Sequence, residues 1–438
     1  MSLLELGYLS FPVLLVLIFL RAPIGLAMMI CGLGGLYLAT GSPNIFLSKL
    51  KSETYSTFSS YSLTIIPMFL LMGQFATHSG MSSSLFKAAE SFLGHRKGGV
   101  AMAAVGACAG CGAICGSSRA TAATMSRVAL PELRRYGYSG GFSTATLAAG
   151  GTLGILIPPS VILVIYAILT EQNIAKLFLA AFIPGILAAI GYMITISIYV
   201  RVNPGAAGTR EPVPYAERIR ALLDVWPVLL VFGLVVGGIY LGWFTPTEGA
   251  AVGAAGTGVL ALVSGNLSRK MFLDSILQTA MSTAMIFFII LGASFYNSFL
   301  ALSQLPQELS GWVIGQGFSP WTVLTLILLF YLVFGCLMDS LSMILLTIPI
   351  FFPVISVLEF GMSPEHVAIW FGIIVLIVVE VGLITPPVGM NLFIINSMDR
   401  STPMTDTYKA VLWFVTSDIV RVVLLVLFPS ITLFLLGG

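Results

Sequence analysis

Two Pro-Pro pairs interrupt apolar segments at matching places in the two halves of the chain, at 158–159 and 386–387. Proline has no N–H and clashes with the carbonyl group four residues before it, so each pair frees backbone carbonyls. The carbonyls expected to be freed are those of Gly154, Ile155, Gly382 and Leu383. Free carbonyls are tolerated at membrane depth only where they line a cavity or are buried in protein. Their oxygens are hard ligands and suit a cation such as Na⁺.

Hydroxyl groups lie at an interruption in each half. Ser117 and Ser118 lie where the apolar stretch 98–135 is interrupted, and Thr385 directly precedes the second Pro-Pro pair. A single proline kink is usually resolved by neighbouring helices. Two symmetric breaks, each preceded by an interrupted apolar stretch, favour a cation site instead.

Arg119 follows the serine pair within an apolar segment. Charged side chains inside a membrane are rare and face a cavity or a partner. Arg119 is therefore a candidate to bind a substrate carboxylate through two parallel hydrogen bonds. The alternative is that it pairs with an internal carboxylate or with the carbonyl end of a helix. Ser118, Ser160 and Asn391 are further candidates for contact with the substrate.

Acidic side chains in the apolar regions have mixed interpretations. Asp339 either contacts an ion or caps a helix, and Glu380 either serves the site or belongs to a buried network. Glu248 has the spacing of a capping box at a helix start. Asp418 and Arg421 are three residues apart on one predicted helix, and we expect them to pair.

The elements that carry these residues must be membrane helices. The chain has 438 residues, of which 58% are hydrophobic and 9% are charged, well below the roughly 25% charged residues of a soluble domain. The runs are continuous rather than alternating, which excludes a membrane β-barrel. Spanning helices are predicted at 4–20, 24–40, 55–78, 141–168, 176–200, 225–242, 246–264, 273–300, 366–396 and 408–436.

Two further apolar stretches, 98–135 and 319–360, are interrupted at their middles. Basic residues flank both ends of the first and neither end of the second. Because cytoplasmic segments carry the excess of Lys and Arg, the two stretches are predicted to be hairpins that enter from opposite faces. Each is followed by a helix with a Pro-Pro break, which is the pattern of an inverted repeat.

The predicted fold is thus an all-α polytopic membrane protein, an inverted repeat with two re-entrant helical hairpins and two Pro-Pro-broken helices. The predicted divisions are 1–97 (N-terminal helices), 98–168 (first hairpin and broken helix), 169–318 (linker and helices), 319–396 (second hairpin and broken helix) and 397–438 (C-terminal helix).

The stretch 106–160, with Gly116-Ser117-Ser118-Arg119-Ala120 and the first Pro-Pro motif, resembles the large membrane subunit (DctM-like permease) of the tripartite ATP-independent periplasmic (TRAP) transporters. The second half, with Gly335, Asp339 and the motif 385–389, resembles the same family. The resemblance implies an elevator-type, Na⁺-coupled transporter in the bacterial inner membrane, with organic acids as substrates. It implies that 98–168 and 319–396 form the transport domain and that the helices of 1–97 and 169–318 belong to the scaffold. It also implies two partners, a small four-helix membrane subunit and a periplasmic substrate-binding protein.

Carried onto this chain, the family's Na⁺ sites have ligands in both halves, some of them through carbonyl groups. The residues implied are Ser117, Ser118, Gly154, Gly335, Gly382, Thr385 and Val388.

Other functions are less well supported by the sequence. A standalone anion symporter or antiporter of a related elevator fold is the main alternative. An intramembrane enzyme needs facing catalytic groups, a channel needs a repeated filter sequence, and direct use of ATP needs a phosphate-binding loop; none of these is evident. The net charge is +2 without a basic tract, so we expect no nucleic-acid partner.

Overall fold

The computed structural model describes residues 2–265 and 267–437, and these residues form helices and no strands. The N-terminal half contains α1 Leu3–Phe19, α2 Ile24–Thr40, α3 Pro43–Ser59, α4 Ile65–His78, α5 Met81–Leu93, α6 Gly99–Cys115, α7 Ser118–Arg135, α8 Gly140–Leu156, α9 Val161–Leu169 and α10 Ile174–Val202. The C-terminal half contains α11 Tyr215–Leu223, α12 Trp226–Phe232, α13 Gly238–Tyr240, α14 Pro246–Val263, α15 Arg269–Ser303, α16 Leu305–Gly315, α17 Pro320–Gly335, α18 Ser340–Ser356, α19 Pro364–Gly382, α20 Met390–Met398, α21 Met404–Leu427 and α22 Pro429–Leu433.

By length and composition, the described residues include five helices that can cross a membrane, or seven if each of two bent helix pairs is one span. The bent pairs are Pro43–Ser59 with Ser62–His78 and Gly140–Leu156 with Val161–Leu169, at angles of 56° and 46°. The protein is therefore a multi-pass, all-α membrane protein, as predicted.

Both predicted hairpins are present. The helices α6 and α7 meet at residues 116–117, and α17 and α18 meet at 336–339. Each of these four helices has 16 to 18 residues. At 1.5 Å per residue such a helix measures about 25 Å, which is shorter than the hydrocarbon core of about 30 Å. Their length suits re-entrant hairpins.

The two hairpins have their bases at opposite ends of the molecule. At the base of the first, Arg134 forms an ion pair with Asp399, just after α20 ends. At the base of the second, the ring of Trp321 packs edge-on against Trp370 near the start of α19, with centroids 6.2 Å apart. The helix α19 and its continuation α20 thus run from the base of the second hairpin to the base of the first.

The other broken helix runs in the opposite direction. The start of α8 packs on Thr402 and Asp406, beside the base of the first hairpin. The far end of α9 reaches the second hairpin, where Tyr166 packs edge-on against Phe352 at 6.4 Å. The two hairpin-plus-broken-helix units therefore have opposite orientations, which confirms the inverted repeat.

Around this central unit, α10 and α21 pack on α8, while α2 packs along α15 and α4 packs along α14. A buried hydrogen bond joins α10 and α21, in which Tyr192 donates to Asp418 at 2.8 Å. Within α21, Arg421 donates to the same carboxylate at 2.7 Å. The predicted Asp418–Arg421 pair is thus confirmed. The assignment of scaffold and transport regions to stretches of sequence stays a prediction.

Several predicted spans differ from the observed helices. The prediction of one helix over 55–78 is wrong, because the chain bends by 56° between α3 and α4. The prediction of one helix over 408–436 is also wrong, since α21 ends at Leu427 and Pro429 begins a new short helix. A proline at a first helical position favours such a start. The helices α5 and α16 have no counterpart among the predicted spans.

The connection between α10 and α11 is held against the base of the first hairpin. Glu90, which is buried in α5, forms an ion pair of 3.0 Å with Arg210 of this connection. The backbone N–H of Arg210 donates to the carbonyl of Gly94 at 3.0 Å, and that of Ser139 donates to Ala206 at 2.9 Å. This polar segment is therefore an ordered strap between the two halves.

Candidate functional site

The tips of the two hairpins meet at the middle of the fold. A guanidinium nitrogen of Arg119, at the first tip, lies 3.2 Å from a carboxylate oxygen of Asp339, at the second. The structure therefore shows Arg119 paired with an internal carboxylate, which is one of the two interpretations made from the sequence. The Arg119 side chain is still 45% exposed, so part of the guanidinium remains accessible.

A helix begins at each tip. Ser117 caps α7 by accepting a hydrogen bond from the N–H of Ala120, and Asp339 caps α18 by accepting one from Ser342 at 3.3 Å. The N-termini of both helices thus lie at the same place. Unpaired N–H groups and the partial positive charge of a helix N-terminus favour an anion there.

The first break brings together two of the predicted Na⁺ ligands. A Cβ atom added at Gly154 would lie 2.9 Å from the carbonyl oxygen of Ser117 and would clash with the hydroxyl of Thr121. In the described part of the chain, no hydrogen bond reaches the carbonyls of Gly154 and Ile155, as the proline argument predicts. The first tip and α8 are therefore in close contact beside these two free carbonyls.

The second break is similar in packing but differs in its carbonyls. A Cβ atom added at Gly382 would lie 2.6 Å from the carbonyl carbon of Gly335, so the tip and α19 are in backbone contact. The expectation of free carbonyls is wrong here. The N–H of Thr385 donates to Gly382 at 3.0 Å, and the N–H of Asn391 donates to Leu383 at 3.1 Å. Each carbonyl keeps a second lone pair.

The other two predicted ligands of this half lie in the loop between α19 and α20. The hydroxyl of Thr385 donates to the carbonyl of Val381 at 2.6 Å, which directs its lone pairs away from the helix. The carbonyls of Pro387 and Val388 both face the hydroxyl of Tyr408, at 2.7 and 3.4 Å. Tyr408 lies on α21, distant in sequence, and no motif pointed to it.

A cavity of about 380 Å³ opens beside the tips. Its first wall is the start of α7 with Ser117, Ser118 and Arg119, and its opposite wall is α4 and α15. Further polar side chains on these walls are Gln74, Thr77, Thr124, Arg127, Gln278 and Ser282, and Ser340 lines the cavity from α18. The cavity is thus lined by polar as well as apolar side chains, includes Arg119 and Arg127, and has room for a small organic anion.

Two of the predicted substrate contacts do not line this cavity. Ser160 is fully buried and caps α9, where it accepts a hydrogen bond from the N–H of Leu163. Asn391 is also fully buried, and its amide group has no hydrogen-bond partner among the described residues. The structure brings Ser118 and Arg119 to the cavity and leaves Ser160 and Asn391 in the packed interior.

A buried carboxyl group lies where the tips meet. Glu380 in α19 accepts a hydrogen bond of 2.5 Å from the hydroxyl of Ser340, and the side chain of Ser118 approaches the same carboxyl group. The sequence left Glu380 open between the site and a buried network, and Ser340 was not singled out. The sequence contains one signal for Ser340: it directly follows the tip residue Asp339, as Ser118 directly follows Ser117.

An inverted repeat of hairpins and broken helices around a central cavity defines a secondary transport protein rather than an enzyme. The comparisons with known proteins give the particular group. The family described as "Tripartite ATP-independent periplasmic transporter, DctM component" matches residues 11–431. The chain belongs to this family, the large permeases of TRAP transporters.

Curated relatives agree with this assignment over nearly the whole chain. The C4-dicarboxylate TRAP transporter large permease protein DctM of Pseudomonas aeruginosa is 37% identical, covering 91% of this chain and 92% of that one. The sialic acid TRAP transporter large permease protein SiaM of Vibrio cholerae is 29% identical, covering 96% of each. An isethionate TRAP transporter permease, DctMQ of Oleidesulfovibrio alaskensis, is 29% identical, and this chain covers 63% of its length.

The fold also has a solved counterpart. The YdaH transporter of Alcanivorax borkumensis, whose structure was described as having an unusual topology, superposes with a TM-score of 0.65. It is 14% identical, with 88% of this chain and 89% of that chain covered. At this identity the likeness concerns the fold alone.

Proposed function

We propose that the protein is the large permease of a three-component system that takes up a small carboxylate across the bacterial inner membrane, driven by a Na⁺ gradient. The observation that carries the proposal is the meeting of both hairpin tips, each packed on the broken helix of its own half, beside a cavity that the first break and the start of α18 also line. The site offers backbone and hydroxyl oxygens to a cation and two helix N-termini with Arg119 to an anion. Cation and anion sites so close together favour coupled binding of the two charges.

Na⁺ is the proposed coupling ion because the oxygen ligands near the breaks are mostly uncharged. Ser117, Ser118 and Gly154 in one half, and Gly335, Gly382, Thr385 and Val388 in the other, would hold it through hydroxyl and carbonyl groups. Among the described residues, no three or more His, Cys, Asp or Glu side chains cluster as a metal site. A monovalent hard cation fits such a set better than a transition metal.

The substrate class follows from the charges around the cavity. Arg119 and Arg127 line it, and Asp339 offsets one of the two positive charges. A small organic acid with one or two carboxylates fits this balance, and the relatives named for C4-dicarboxylates and sialic acid transport substrates of that kind.

Two partners are proposed to complete the system. The isethionate relative is a longer permease named DctMQ, which supports a small membrane subunit as a separate partner of this chain. A periplasmic binding protein would deliver the substrate. The wall formed by α4 and α15 faces the hairpin tips across the cavity, and the central unit is proposed to slide along this wall as an elevator.

The test is uptake into vesicles that contain the permease and the small subunit, with the binding protein and a panel of labelled carboxylates outside. Uptake of at least one carboxylate is expected to require an inward Na⁺ gradient and the binding protein. Uptake that persists in Na⁺-free medium with a proton gradient would contradict Na⁺ coupling. Uptake that needs neither partner would favour the standalone symporter or antiporter.

A further inference from the structure

Glu380 occupies an unusual position for a carboxyl group in a membrane protein. It lies in α19, two residues before Gly382, and only 1% of its surface is exposed. An acidic side chain buried in this way is costly unless polar groups surround it. Its neighbours therefore indicate its role.

The neighbours come from both hairpins. Ser340, the first residue of α18, donates its hydroxyl hydrogen to Glu380 Oε1 at 2.5 Å. The other oxygen, Oε2, makes no hydrogen bond of ordinary geometry in the described part of the chain. The side chain of Ser118, the first residue of α7, approaches the same carboxyl group. One acid thus faces the first helical residue behind each tip.

No ion pair stabilises the buried carboxyl group of Glu380 among the described residues. The nearest guanidinium at the tips, that of Arg119, pairs with Asp339. The guanidinium of Arg421 pairs with Asp418 on α21. Glu380 therefore accepts a hydrogen bond from the hydroxyl of Ser340, lies near the side chain of Ser118, and forms no ion pair in the described part of the chain.

The hydrogen-bonding chemistry of serine indicates a role for this arrangement. A hydroxyl group has one hydrogen to donate and two lone pairs to offer. A serine that binds a cation must turn its lone pairs to the ion and its hydrogen elsewhere. A carboxyl acceptor behind the ligand fixes that orientation, as acceptors do behind the first ligands of metal sites.

We propose that Glu380 is a positioning residue that holds the hydroxyls of Ser118 and Ser340 with their lone pairs directed to the cation sites of the two halves. The inference rests on the proposed Na⁺ coupling and adds Ser340 to the residues that serve it. Because one carboxyl group holds both tips, it also links the two cation sites physically.

The variant Glu380→Gln tests this directly. Its side chain has nearly the same shape, but one carboxyl oxygen becomes an NH₂ group that cannot accept a hydroxyl hydrogen. The Na⁺ concentration for half-maximal uptake should rise about tenfold or more, the usual effect of losing an outer partner at a metal site. The KM for the carboxylate at saturating Na⁺ should change little. A residue with only a structural role would lower the amount of active transporter and leave the Na⁺ requirement as it was.

Two further variants make the result specific. Ser340→Ala should raise the Na⁺ requirement in the parent chain but add less in the Glu380→Gln background, because the neutral amide already accepts the same hydroxyl hydrogen more weakly than a carboxylate does. Asp418→Asn removes another buried carboxylate that contacts neither tip and should leave the Na⁺ requirement unchanged. If Glu380→Gln does not reach the membrane, the Na⁺ requirement of Ser340→Ala alone tests the inference.

The outcomes separate this inference from the proposed function. Parent uptake that ignores Na⁺ overturns both. Na⁺-dependent parent uptake with an unchanged Na⁺ requirement in Glu380→Gln, or in Ser340→Ala when that variant decides, overturns the inference alone. Fully additive effects of the two substitutions also overturn it.

Discussion

Arg119 and Asp339 form an ion pair of 3.2 Å between the tips of two hairpins that enter the molecule from opposite ends. The pair is partly exposed, and exposed pairs contribute only about 0–1 kcal/mol to stability. Its importance is therefore positional: it puts a guanidinium group beside two helix N-termini and the cavity.

Arg119→Lys should weaken carboxylate binding. Lysine keeps the positive charge but loses the planar pair of donors that matches a carboxylate. A hydrogen bond between charged groups contributes roughly 1.5–3 kcal/mol, so the KM of the carboxylate should rise about tenfold or more. The measurement is substrate dependence of uptake at saturating Na⁺. Arg135→Lys, at the exposed base of the same helix, is the control and should leave the KM alone. An unchanged KM in Arg119→Lys would remove that residue from the anion site.

Thr385→Ala should weaken the response to Na⁺ without unfolding the protein. The Thr385 hydroxyl donates to the carbonyl of Val381 at 2.6 Å, and its lone pairs are proposed to face the cation. Half-maximal uptake should require several times more Na⁺. Thr416→Ala is a matched control, since Thr416 makes the same backbone bond to Leu412 at 2.8 Å on the surface of α21. An identical Na⁺ response in both variants would exclude Thr385 from the site.

Gly382→Ala should lower stability and uptake together. The new Cβ atom would lie 2.6 Å from the carbonyl carbon of Gly335, so the second tip and α19 must separate. Overpacking of this kind costs about 1–3 kcal/mol. Gly34→Ala is the control, because a Cβ atom on Gly34 of α2 meets no atom within 4 Å. Thermal unfolding in detergent should show a lower midpoint for Gly382→Ala only. Equal midpoints would mean that the backbones are not in contact.

Arg210→Ala should destabilise the strap in a pH-dependent way. Burial raises the pKa of Glu90 above its ordinary value of 4.5, and the charge of Arg210 opposes that rise. Without Arg210 the buried carboxylate has lost its ion-pair partner at neutral pH. Leaving such a group unpaired costs roughly 1–3 kcal/mol.

The sign of the pH effect follows from that raised pKa. As the pH falls, folded Arg210→Ala binds a proton at Glu90 before the unfolded chain does, so stability is regained. The deficit relative to the parent should be full above the folded pKa and shrink as the pH falls towards 4.5. Unfolding midpoints over this range measure it. Arg218→Ala, whose guanidinium donates to the carbonyl of Val213, should show no such trend. A pH-independent deficit in Arg210→Ala would show that Glu90 does not cause it.

Much of the fold follows from local sequence physics. The prolines at 158–159 and 386–387 specify the breaks. The basic residues that flank just one of the two hairpins specify the opposite orientations of the hairpins. The capping box at Glu248 is present, with the N–H of Thr245 donating to the carboxylate at 2.8 Å. These features depend on neighbours in sequence or on the number of charges, both of which can be read from one chain.

The remaining features depend on tertiary packing. The bend between α3 and α4 has no proline at the break itself, and α5 is too short and polar to be recognised as a span. The contacts of Glu380 with Ser340 and of Tyr408 with Val388 join separate segments of the chain. No local sequence pattern shows that these segments are close in space. The same limit explains Ser160 and Asn391, which follow the breaks in sequence but lie away from the cavity.

The central claim is that the tips of two oppositely oriented hairpins form one site, and thiol cross-linking measures it most directly. The chain's five native cysteines would be replaced by alanine, and the substitutions Arg119→Cys and Asp339→Cys introduced together. A short bifunctional thiol reagent should join the two positions within one chain. The pair Arg119→Cys and Glu359→Cys, with the second thiol near the base of the second hairpin, should not be joined. If both tip thiols react with a monofunctional reagent but never cross-link, the tips do not share a site and the account is contradicted.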